Sequence, residues 1–280
     1  PDDYPTIQQA INAANPGDTI YVRAGTYYEN VIVNQSVSLI GENRKTTIID
    51  GSGDNFSVFI SQNNVNMTGF KTKNAIWGIV LYNVSYCNIA ENDVLDNDNG
   101  IELYSSSESN TISGNNMTNS FRGFWLYGSS NNTISGNTIT KNDYEGISFY
   151  SSSNNTISEN TITNSNYDSI SIYGSSGNTI SGNTITNSYH GIHLHDSSKF
   201  NTVSGNTITN NHFGIHLHGS SDLNTISGNT ITNNYDGIYL DGSSNNTISG
   251  NNMTDNYHGV RFYGSSGNTI SGNTITNTYH

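Results

Sequence analysis

The sequence is poor in several residue types, and each shortage excludes a class of protein. Cys87 is the single cysteine, so the chain can form no intrachain disulfide. Lys and Arg together number 9, against 22 Asp and Glu, which gives a net charge of −13. Because so few basic residues are spread over 280 positions, we expect no nucleic-acid partner. No apolar run approaches the ~20 residues that a membrane-spanning helix needs, so we expect no membrane span.

The most abundant feature of the chain is a repeat. A motif close to Asn-Thr-Ile-Ser-Gly-Asn-Thr-Ile-Thr recurs every 22 or 23 residues. A period this regular indicates that each repeat is one structural unit whose neighbours complete its core. The copies begin at Asn110, Asn132, Asn155, Asn178, Asn201, Asn224, Asn246 and Asn268.

Each repeat contains a segment in which apolar and polar residues alternate. Gly146, for example, is followed by Ile147 and Phe149, and the residues between them are polar or mixed. This period of two predicts a strand with one buried face. Two shorter apolar centres in each repeat, such as Ile157 and Ile162, predict two further strands. An asparagine column between them, which includes Asn160 and Asn183, is expected to satisfy the backbone of a buried turn.

Three short strands in about 22 residues, with no helical crossover, predict an all-β parallel β-helix, a solenoid whose equivalent strands stack about 4.8 Å apart. Thr6 is expected to cap a short helix that presents Ile7, Ala10 and Ile11 to the first turn. We therefore expect one domain, in which a cap at residues 1–50 is continuous with β-helix repeats at residues 51–280.

Several segments resemble the right-handed parallel β-helix superfamily: Pro-Thr-Ile-Gln-Gln-Ala-Ile-Asn-Ala-Ala at 5–14, Pro-Gly-Asp-Thr-Ile at 16–20, Ala-Gly-Thr-Tyr at 24–27, and the repeats. That superfamily includes pectate lyases, polygalacturonases and the β-helix protein of periplasmic copper maturation. The chain is most similar to secreted repeat proteins of archaea, especially methanogens, and of some bacteria. The resemblance implies a right-handed solenoid but no single activity, because the superfamily also holds binding modules and surface-layer components. The polygalacturonase aspartates with their Arg-x-Lys segment and the calcium-holding set of pectate lyases are absent.

Aromatic residues recur in the outward columns of the long strand. They either stiffen the sheet by cross-strand packing or form a flat platform for sugar rings. The members of this candidate ligand-binding face are Tyr82, Tyr104, Trp125, Tyr127, Tyr150 and Tyr173.

Gly-Ile-His-Leu-His occurs twice and places four outward imidazoles on adjacent turns. Such a patch either binds Zn²⁺ or Cu²⁺ or copies a tolerated surface histidine by repeat duplication. The candidate metal ligands are His193, His195, His216, His218 and Asp241.

Acidic residues suggest two further sites. The first lies on neighbouring turns and consists of Glu145 and Asp168, with Arg122 and His190 beside them. The two carboxylates either match the ~5 Å spacing found in a retaining glycosidase or are ordinary solvated charges. A second group could hold Ca²⁺ or form a solvated acidic turn. Its members are Glu91, Asp93, Asp96, Asp98 and Glu102.

The nearly identical turns and the absence of a convergent catalytic set favour a non-enzymatic, secreted structural or adhesive protein of the cell surface. The uncapped last turn predicts head-to-tail self-association into filaments or a surface layer. The alternatives are a protein that binds or cleaves polysaccharide, as a glycoside hydrolase or polysaccharide lyase, and one that binds Cu or Zn. No cofactor is required by the first interpretation; Ca, Zn and Cu are the candidates. Glycosylation sequons mildly favour an extracellular location. They lie at Asn34, Asn55, Asn66, Asn83, Asn116, Asn131, Asn154, Asn245 and Asn252.

Overall fold

The computed structural model describes residues 3–279 and confirms the predicted cap helix. Helix α1 spans Ile7–Ala13, and the Thr6 hydroxyl accepts a hydrogen bond from the backbone N–H of Gln9 at 3.2 Å. Ile7 and Ile11 are buried, so the short helix is stabilised by its apolar face and its N-cap. Among the described residues, no helix has the length and apolarity needed to cross a membrane.

The rest of the chain is built from short strands in two units, Pro1–Thr138 and Ile139–His280. The first unit contains β1 (Thr19–Val22), β2 (Gly25–Tyr28), β3 (Val31–Val33), β4 (Ser38–Gly41), β5 (Thr47–Asp50), β6 (Phe56–Ile60), β7 (Asn66–Thr68), β8 (Lys71–Lys73), β9 (Trp77–Tyr82), β10 (Asn88–Ala90), β11 (Asp93–Leu95), β12 (Asn99–Tyr104), β13 (Thr111–Ser113), β14 (Asn116–Thr118), β15 (Arg122–Tyr127) and β16 (Thr133–Ser135). Strand β17 (Thr138–Thr140) starts at the unit boundary.

The second unit repeats the same pattern more regularly. It contains β18 (Glu145–Tyr150), β19 (Thr156–Ser158), β20 (Thr161–Thr163), β21 (Asp168–Tyr173), β22 (Thr179–Ser181), β23 (Thr184–Thr186), β24 (His190–His195), β25 (Thr202–Ser204), β26 (Thr207–Thr209), β27 (Phe213–His218), β28 (Thr225–Ser227), β29 (Thr230–Thr232), β30 (Asp236–Asp241), β31 (Thr247–Ser249), β32 (Asn252–Thr254), β33 (His258–Tyr263), β34 (Thr269–Ser271) and β35 (Thr274–Thr276).

In each unit every third strand pairs in parallel, which confirms the predicted β-helix. In the first unit, for example, β9, β12 and β15 are neighbours, and Ile79, Ile101 and Phe124 lie opposite one another. In the second unit β21, β24 and β27 are neighbours in the same way. Each turn of the solenoid therefore adds one strand to each of three sheets. We call the sheet of the long strands, such as β12 and β24, the third sheet.

The predicted columns occupy the predicted places. In the turn that begins at β18, four apolar side chains are fully buried: Ile147, Phe149, Ile157 and Ile162. The glycine column is required because the turns approach closely there. A Cβ atom at Gly191 would lie 2.5 Å from the carbonyl oxygen of Gly214.

The asparagine column forms a ladder of hydrogen bonds, which confirms its structural role. The backbone N–H and the side-chain amide of Asn160 both donate to Oδ1 of Asn183, at 2.9 and 3.0 Å. Asn183 donates in the same way to Asn206. These contacts satisfy turn backbone groups that would otherwise be buried without partners.

Candidate functional site

In the first unit, the predicted aromatic face contains a row of rings on the third sheet. We call Phe59, Tyr82, Tyr104 and Tyr127 the strand ladder. Successive ring centroids lie 5.8, 5.8 and 5.6 Å apart. The three tyrosines lie opposite one another in the register of β9, β12 and β15, and each is exposed. The alternation of the sequence thus identified their side of the sheet correctly.

The packing within the strand ladder differs from a flat platform. Tyr104 contacts a ring on either side, so both of its faces are largely covered. The ring edge and the hydroxyl group of Tyr104 are the parts that remain exposed to solvent. Trp125 lies beside the strand ladder, 6.2 Å from Tyr127 in an edge-on arrangement, and Arg122 stacks on its ring at 5.1 Å. This face therefore offers hydroxyl groups, ring edges and one indole.

Buried polar atoms without partners lie in the strands beside the strand ladder. Trp77 Nε1, Asn99 Oδ1 and Glu102 Oε2 make no hydrogen bond within the described part of the chain. Trp77 and Asn99 are opposite each other in β9 and β12, and Glu102 lies opposite Trp125 in β12 and β15. Leaving such a group without a partner costs about 1–3 kcal/mol, so a polar ligand that completes these bonds is favoured.

The environment of Glu102 changes its acid strength. The residue is only 6% exposed, and burial raises its pKa to about 7, although the nearby Arg122 guanidinium opposes the shift. Glu102 is therefore separate from the acidic turn in which the sequence also grouped it. In that turn, Arg44 contacts Glu91 at 3.3 Å and Asp93 at 3.6 Å, so a calcium ion would compete with a guanidinium.

In the second unit, three histidines of the third sheet cluster near one carboxylate. We call Asp168, His190, His193 and His216 the histidine cluster. Asp168 Oδ1 lies 2.6 Å from His190 Nδ1, and Asp168 Oδ2 lies 3.1 Å from His193 Nδ1. His216 Nδ1 lies 3.2 Å from His190 Nε2. The ring planes of His193 and His216 are parallel, with centroids 4.8 Å apart.

The histidine cluster is more enclosed than the sequence predicted. Outward columns are expected to be solvated, yet Asp168, His190, His193 and His216 are 1%, 4%, 8% and 9% exposed. The rings cover one another, and Phe213 packs 5.0 Å from both His190 and His216. The sequence gives the side of the sheet on which a residue lies but not how far its neighbours cover it.

Burial and pairing set the charges of the histidine cluster. Burial lowers the pKa of His216 to about 2, and the nearby His193 and His190 reinforce this effect. Burial also lowers the pKa of His190, against the attraction of Asp168. For Asp168, burial favours the neutral acid, but the hydrogen bonds and charges of His190 and His193 outweigh it and hold its pKa well below the usual range. The cluster thus holds one carboxylate beside two imidazoles, His190 and His216, whose neutral forms are favoured.

The structure divides the predicted metal ligands between different contacts. His193 and His216 belong to the histidine cluster. His195 Nε2 lies 3.0 Å from Ser171 Oγ, and burial, helped by His193, lowers the pKa of His195 to about 4. His218 Nε2 lies 4.0 Å from Asp241 Oδ2 at a more exposed position. Within the described residues, His190, His193 and His216 can each bring a ligand atom within 4.8 Å of the others, as can Asp168, His193 and His195.

The predicted catalytic residues take part in different contacts, and two of them, Asp168 and His190, meet directly. Both carboxylate oxygens of Asp168 accept hydrogen bonds from histidines, and His190 is one of those donors. Glu145 is buried at the start of β18, while Arg122 stacks on Phe121 and Trp125. A catalytic role for Glu145, Asp168, Arg122 and His190 stays a prediction.

The sequence interpretation missed a second row of rings in the second unit. Successive centroids in this row are 4.8–5.9 Å apart. The signal was available, because an aromatic residue recurs every 22 or 23 residues, two positions before the glycine in most turns and before Ser169 in one. We call this row the turn ladder; its members are Tyr144, Tyr167, Tyr189, His212, Tyr235, Tyr257 and Tyr279.

The sequon asparagines lie at exposed positions, except for the half-buried Asn116. Their geometry is compatible with glycosylation, which stays a prediction. The exposed members are Asn34, Asn55, Asn66, Asn83, Asn131, Asn154, Asn245 and Asn252.

Comparison with known proteins identifies the fold. A search of curated proteins gives no match. An alginate lyase from Paenibacillus sp. is 16% identical, with a TM-score of 0.72 over 93% of this chain and 96% of the lyase. The A-module of a mannuronan C-5 epimerase from Azotobacter vinelandii is also 16% identical, with a TM-score of 0.72 over 97% of this chain and 92% of the module. An alpha-1,3-glucanase from Streptomyces thermodiastaticus is 14% identical, with a TM-score of 0.78 over 98% of this chain and 66% of the glucanase.

The family model described as "Right handed beta helix region" matches residues 77–231 and 214–280, which together form more than half of the chain. The parallel pairing of every third strand and the matched repeats agree, and the chain belongs to the right-handed β-helix family.

Proposed function

We propose that this protein binds a neutral polysaccharide on the third sheet of its first unit, at the strand ladder. The observation that carries the proposal is the row of exposed rings at one end of strands β9 and β12, together with buried polar atoms that lack partners: Glu102 two residues from Tyr104, and Trp77 and Asn99 at the start of the same strands. Trp77 Nε1 can donate a hydrogen bond, and Asn99 Oδ1 can accept one. Glu102 can do either, because its pKa of about 7 lets both protonation states exist near neutral pH.

The chemistry of this surface suits a sugar chain. A pyranose ring has apolar C–H faces and a rim of hydroxyl groups. The Trp125 indole can pack against a C–H face, and the tyrosine hydroxyls and edges of the strand ladder can meet the rim. A few polar groups among aromatic side chains are the usual means by which a binding site fixes the orientation of its ligand.

Net charge favours a neutral polysaccharide over an acidic one. The chain carries −13, so long-range repulsion opposes the approach of a polyanion. The solved structures with the same fold support polysaccharide as the ligand class, because an alginate lyase, a mannuronan epimerase and an alpha-1,3-glucanase are named for such substrates. A location outside the cytoplasm, at the cell surface or in a periplasm, accords with such a ligand.

Affinity electrophoresis tests the proposal. The protein is run through gels that contain a neutral glucan, a neutral mannan or alginate. We expect retardation by a neutral polymer, and we expect Trp125→Ala and Glu102→Gln to reduce it. The matched control is Tyr235→Ala, which removes an equally exposed ring from the turn ladder. Absence of retardation in every gel contradicts the proposal, and loss of binding only in Tyr235→Ala contradicts the assignment to the strand ladder.

A structural or adhesive role at the cell surface is a second candidate. The asparagine ladders favour it, because they make successive turns alike and commit polar side chains to the backbone rather than to chemistry. Sedimentation velocity over a wide concentration range tests its self-assembling form. Larger species should accumulate with concentration, and a monomer at every concentration contradicts that form.

A further inference from the structure

The histidine cluster contains two buried nitrogen atoms that no described residue contacts by hydrogen bonding. They are Nε2 of His193 and Nε2 of His216. Both side chains are at least nine-tenths buried, so bulk solvent does not reach these atoms. A buried polar atom without a partner is costly, and its presence calls for a bound group.

The order of hydrogen bonds shows what kind of group is missing. A carboxylate only accepts, so the Asp168 contacts place a proton on Nδ1 of His190 and on Nδ1 of His193. His190 Nε2 is then an acceptor, and His216 Nδ1 must donate to it. When the imidazoles are neutral, both hydrogen-bond chains end at an Nε2 lone pair. A cation or a hydrogen-bond donor can occupy these two buried lone pairs.

The enclosure selects a small acceptor. His193 and His216 are covered by each other and by His190, and Tyr239 packs 4.8 Å from His216. A single cation can accept more than one of these nitrogen lone pairs after side-chain rotation. Neutral imidazoles suit Zn²⁺ and Cu²⁺, whereas Ca²⁺ and Mg²⁺ prefer oxygen ligands.

We propose that the histidine cluster binds one Zn²⁺ or Cu²⁺ ion through one nitrogen atom each of His190, His193 and His216. Asp168 does not bind the ion. It holds the Nδ1–H groups of His190 and His193, and this fixes which nitrogen faces the metal, as outer carboxylates do in known metal sites.

The distances are near those that a metal requires. Tetrahedral nitrogen ligands at about 2.0–2.1 Å from zinc lie roughly 3.4 Å from one another. His190 Nε2 and His216 Nδ1 are already 3.2 Å apart, and the three ligand atoms lie within 4.8 Å of one another. The parallel rings of His193 and His216 must rotate to direct their lone pairs to one point. His216 keeps its proton on Nδ1, and rotation of its ring brings the unprotonated Nε2 to the ion.

The same unit contains a second arrangement of this kind, which we call closed because an arginine takes the place of one histidine. Asp236 Oδ1 contacts His258 Nδ1 at 2.7 Å, and Asp236 Oδ2 contacts Arg261 Nη2 at 2.6 Å. Arg261 occupies the place that His193 takes relative to Asp168. Its guanidinium carries a permanent charge and no lone pair, so this second site cannot bind a metal in the same way.

Isothermal titration calorimetry on metal-free protein tests the proposal, with Zn²⁺ and Cu²⁺ as probes and Ca²⁺ for comparison. We expect one equivalent of Zn²⁺ or Cu²⁺ to bind and Ca²⁺ to leave the histidine cluster unaffected. His193→Arg copies the arrangement at Asp236, so it should fold and lose at least about ten-fold in affinity. The matched control is His212→Ala, which removes an exposed imidazole of the turn ladder.

A spectroscopic readout distinguishes the site from loose surface binding. Paramagnetic resonance of the Cu²⁺ complex should show coupling to several nitrogen atoms in wild type and His212→Ala, and this signal should be lost in His193→Arg and His216→Ala. Circular dichroism without metal shows whether each variant is folded. No binding by folded wild-type protein overturns the proposal. So does unchanged binding in both folded cluster variants, or equal loss in His212→Ala.

Discussion

Asp168 and Asp236 stand at equivalent positions of the second unit but have different surroundings. Each accepts a hydrogen bond from a histidine Nδ1 on the next strand, at 2.6 and 2.7 Å. The second oxygen of Asp168 meets His193, and that of Asp236 meets Arg261. One residue three positions after the shared histidine thus decides between a closed ion pair and an open cluster of imidazoles. The repeat supplies the geometry, and a single substitution changes its chemistry.

The largest effect should come from breaking the closed ion pair. Asp236→Ala leaves Arg261 without its carboxylate and is expected to lower the free energy of unfolding by about 3 kcal/mol. Urea denaturation measures this loss. The double change Asp236→Ala/Arg261→Met removes the unpaired charge and should recover part of the stability. A loss within about 0.5 kcal/mol for the single change would contradict the structural role of the pair.

Metal should stabilise the protein only when the histidine cluster is intact. A ligand present at about 100 times its dissociation constant raises the free energy of unfolding by about 2.7 kcal/mol. We expect Zn²⁺ or Cu²⁺ to raise the melting temperature of wild type and to leave that of His193→Arg unchanged. Equal shifts in both proteins would show that the metal binds elsewhere.

The buried carboxyl group of Glu102 extends the comparison to a residue whose pKa is set by burial and not by an ion pair. Its pKa of about 7 in the folded protein lies above the ordinary glutamate value of 4.5. A raised pKa means that its contribution to stability is fully present below pH ~4.5 and is lost as the pH rises through about 7. With allowance for solvent screening, the loss should be on the order of 1–2 kcal/mol. Denaturation between pH 4 and 8 should show this slope in wild type, and a profile unchanged in Glu102→Gln would contradict it.

The smallest effect should follow from copying the closed arrangement. Without metal, His193→Arg exchanges an imidazole donor on Asp168 for a permanently charged guanidinium, and a gain of about 1 kcal/mol is expected. Thermal denaturation in a chelating buffer measures it. A marked loss of stability would show that the space around His193 differs from that around Arg261.

Most of the fold could be predicted from the sequence because its determinants are local and repeated. The alternation at Ile147 and Phe149 fixes the buried face, and the asparagine column fixes the turns. The N-terminal turns were less predictable, because they lack the repeat motif. Strand β2 (Gly25–Tyr28), for example, has no signal comparable to that of Ile157 or Ile162.

The candidate sites could be predicted only in part. The sequence grouped His190 with Glu145 from the column before the glycine, and His193 with His195 from the two outward columns of the long strand. In the structure, His190 and His193 lie on the same strand β24 and meet at Asp168 of the neighbouring strand β21. The burial of His193 and His216 arises from the packing of large rings on one another. The residue types in a repeat column do not predict this packing. The raised pKa of Glu102 likewise arises from burial, which the residue types alone do not predict.

Anomalous scattering from a crystal of the wild-type protein, recorded at the absorption edge of bound Zn²⁺, tests the central claim most directly. The account predicts one strong peak about 2.0–2.1 Å from nitrogen atoms of His190, His193 and His216, and no peak beside Asp236. A crystal with zinc bound only at other residues, or with no anomalous peak in the histidine cluster, would contradict it.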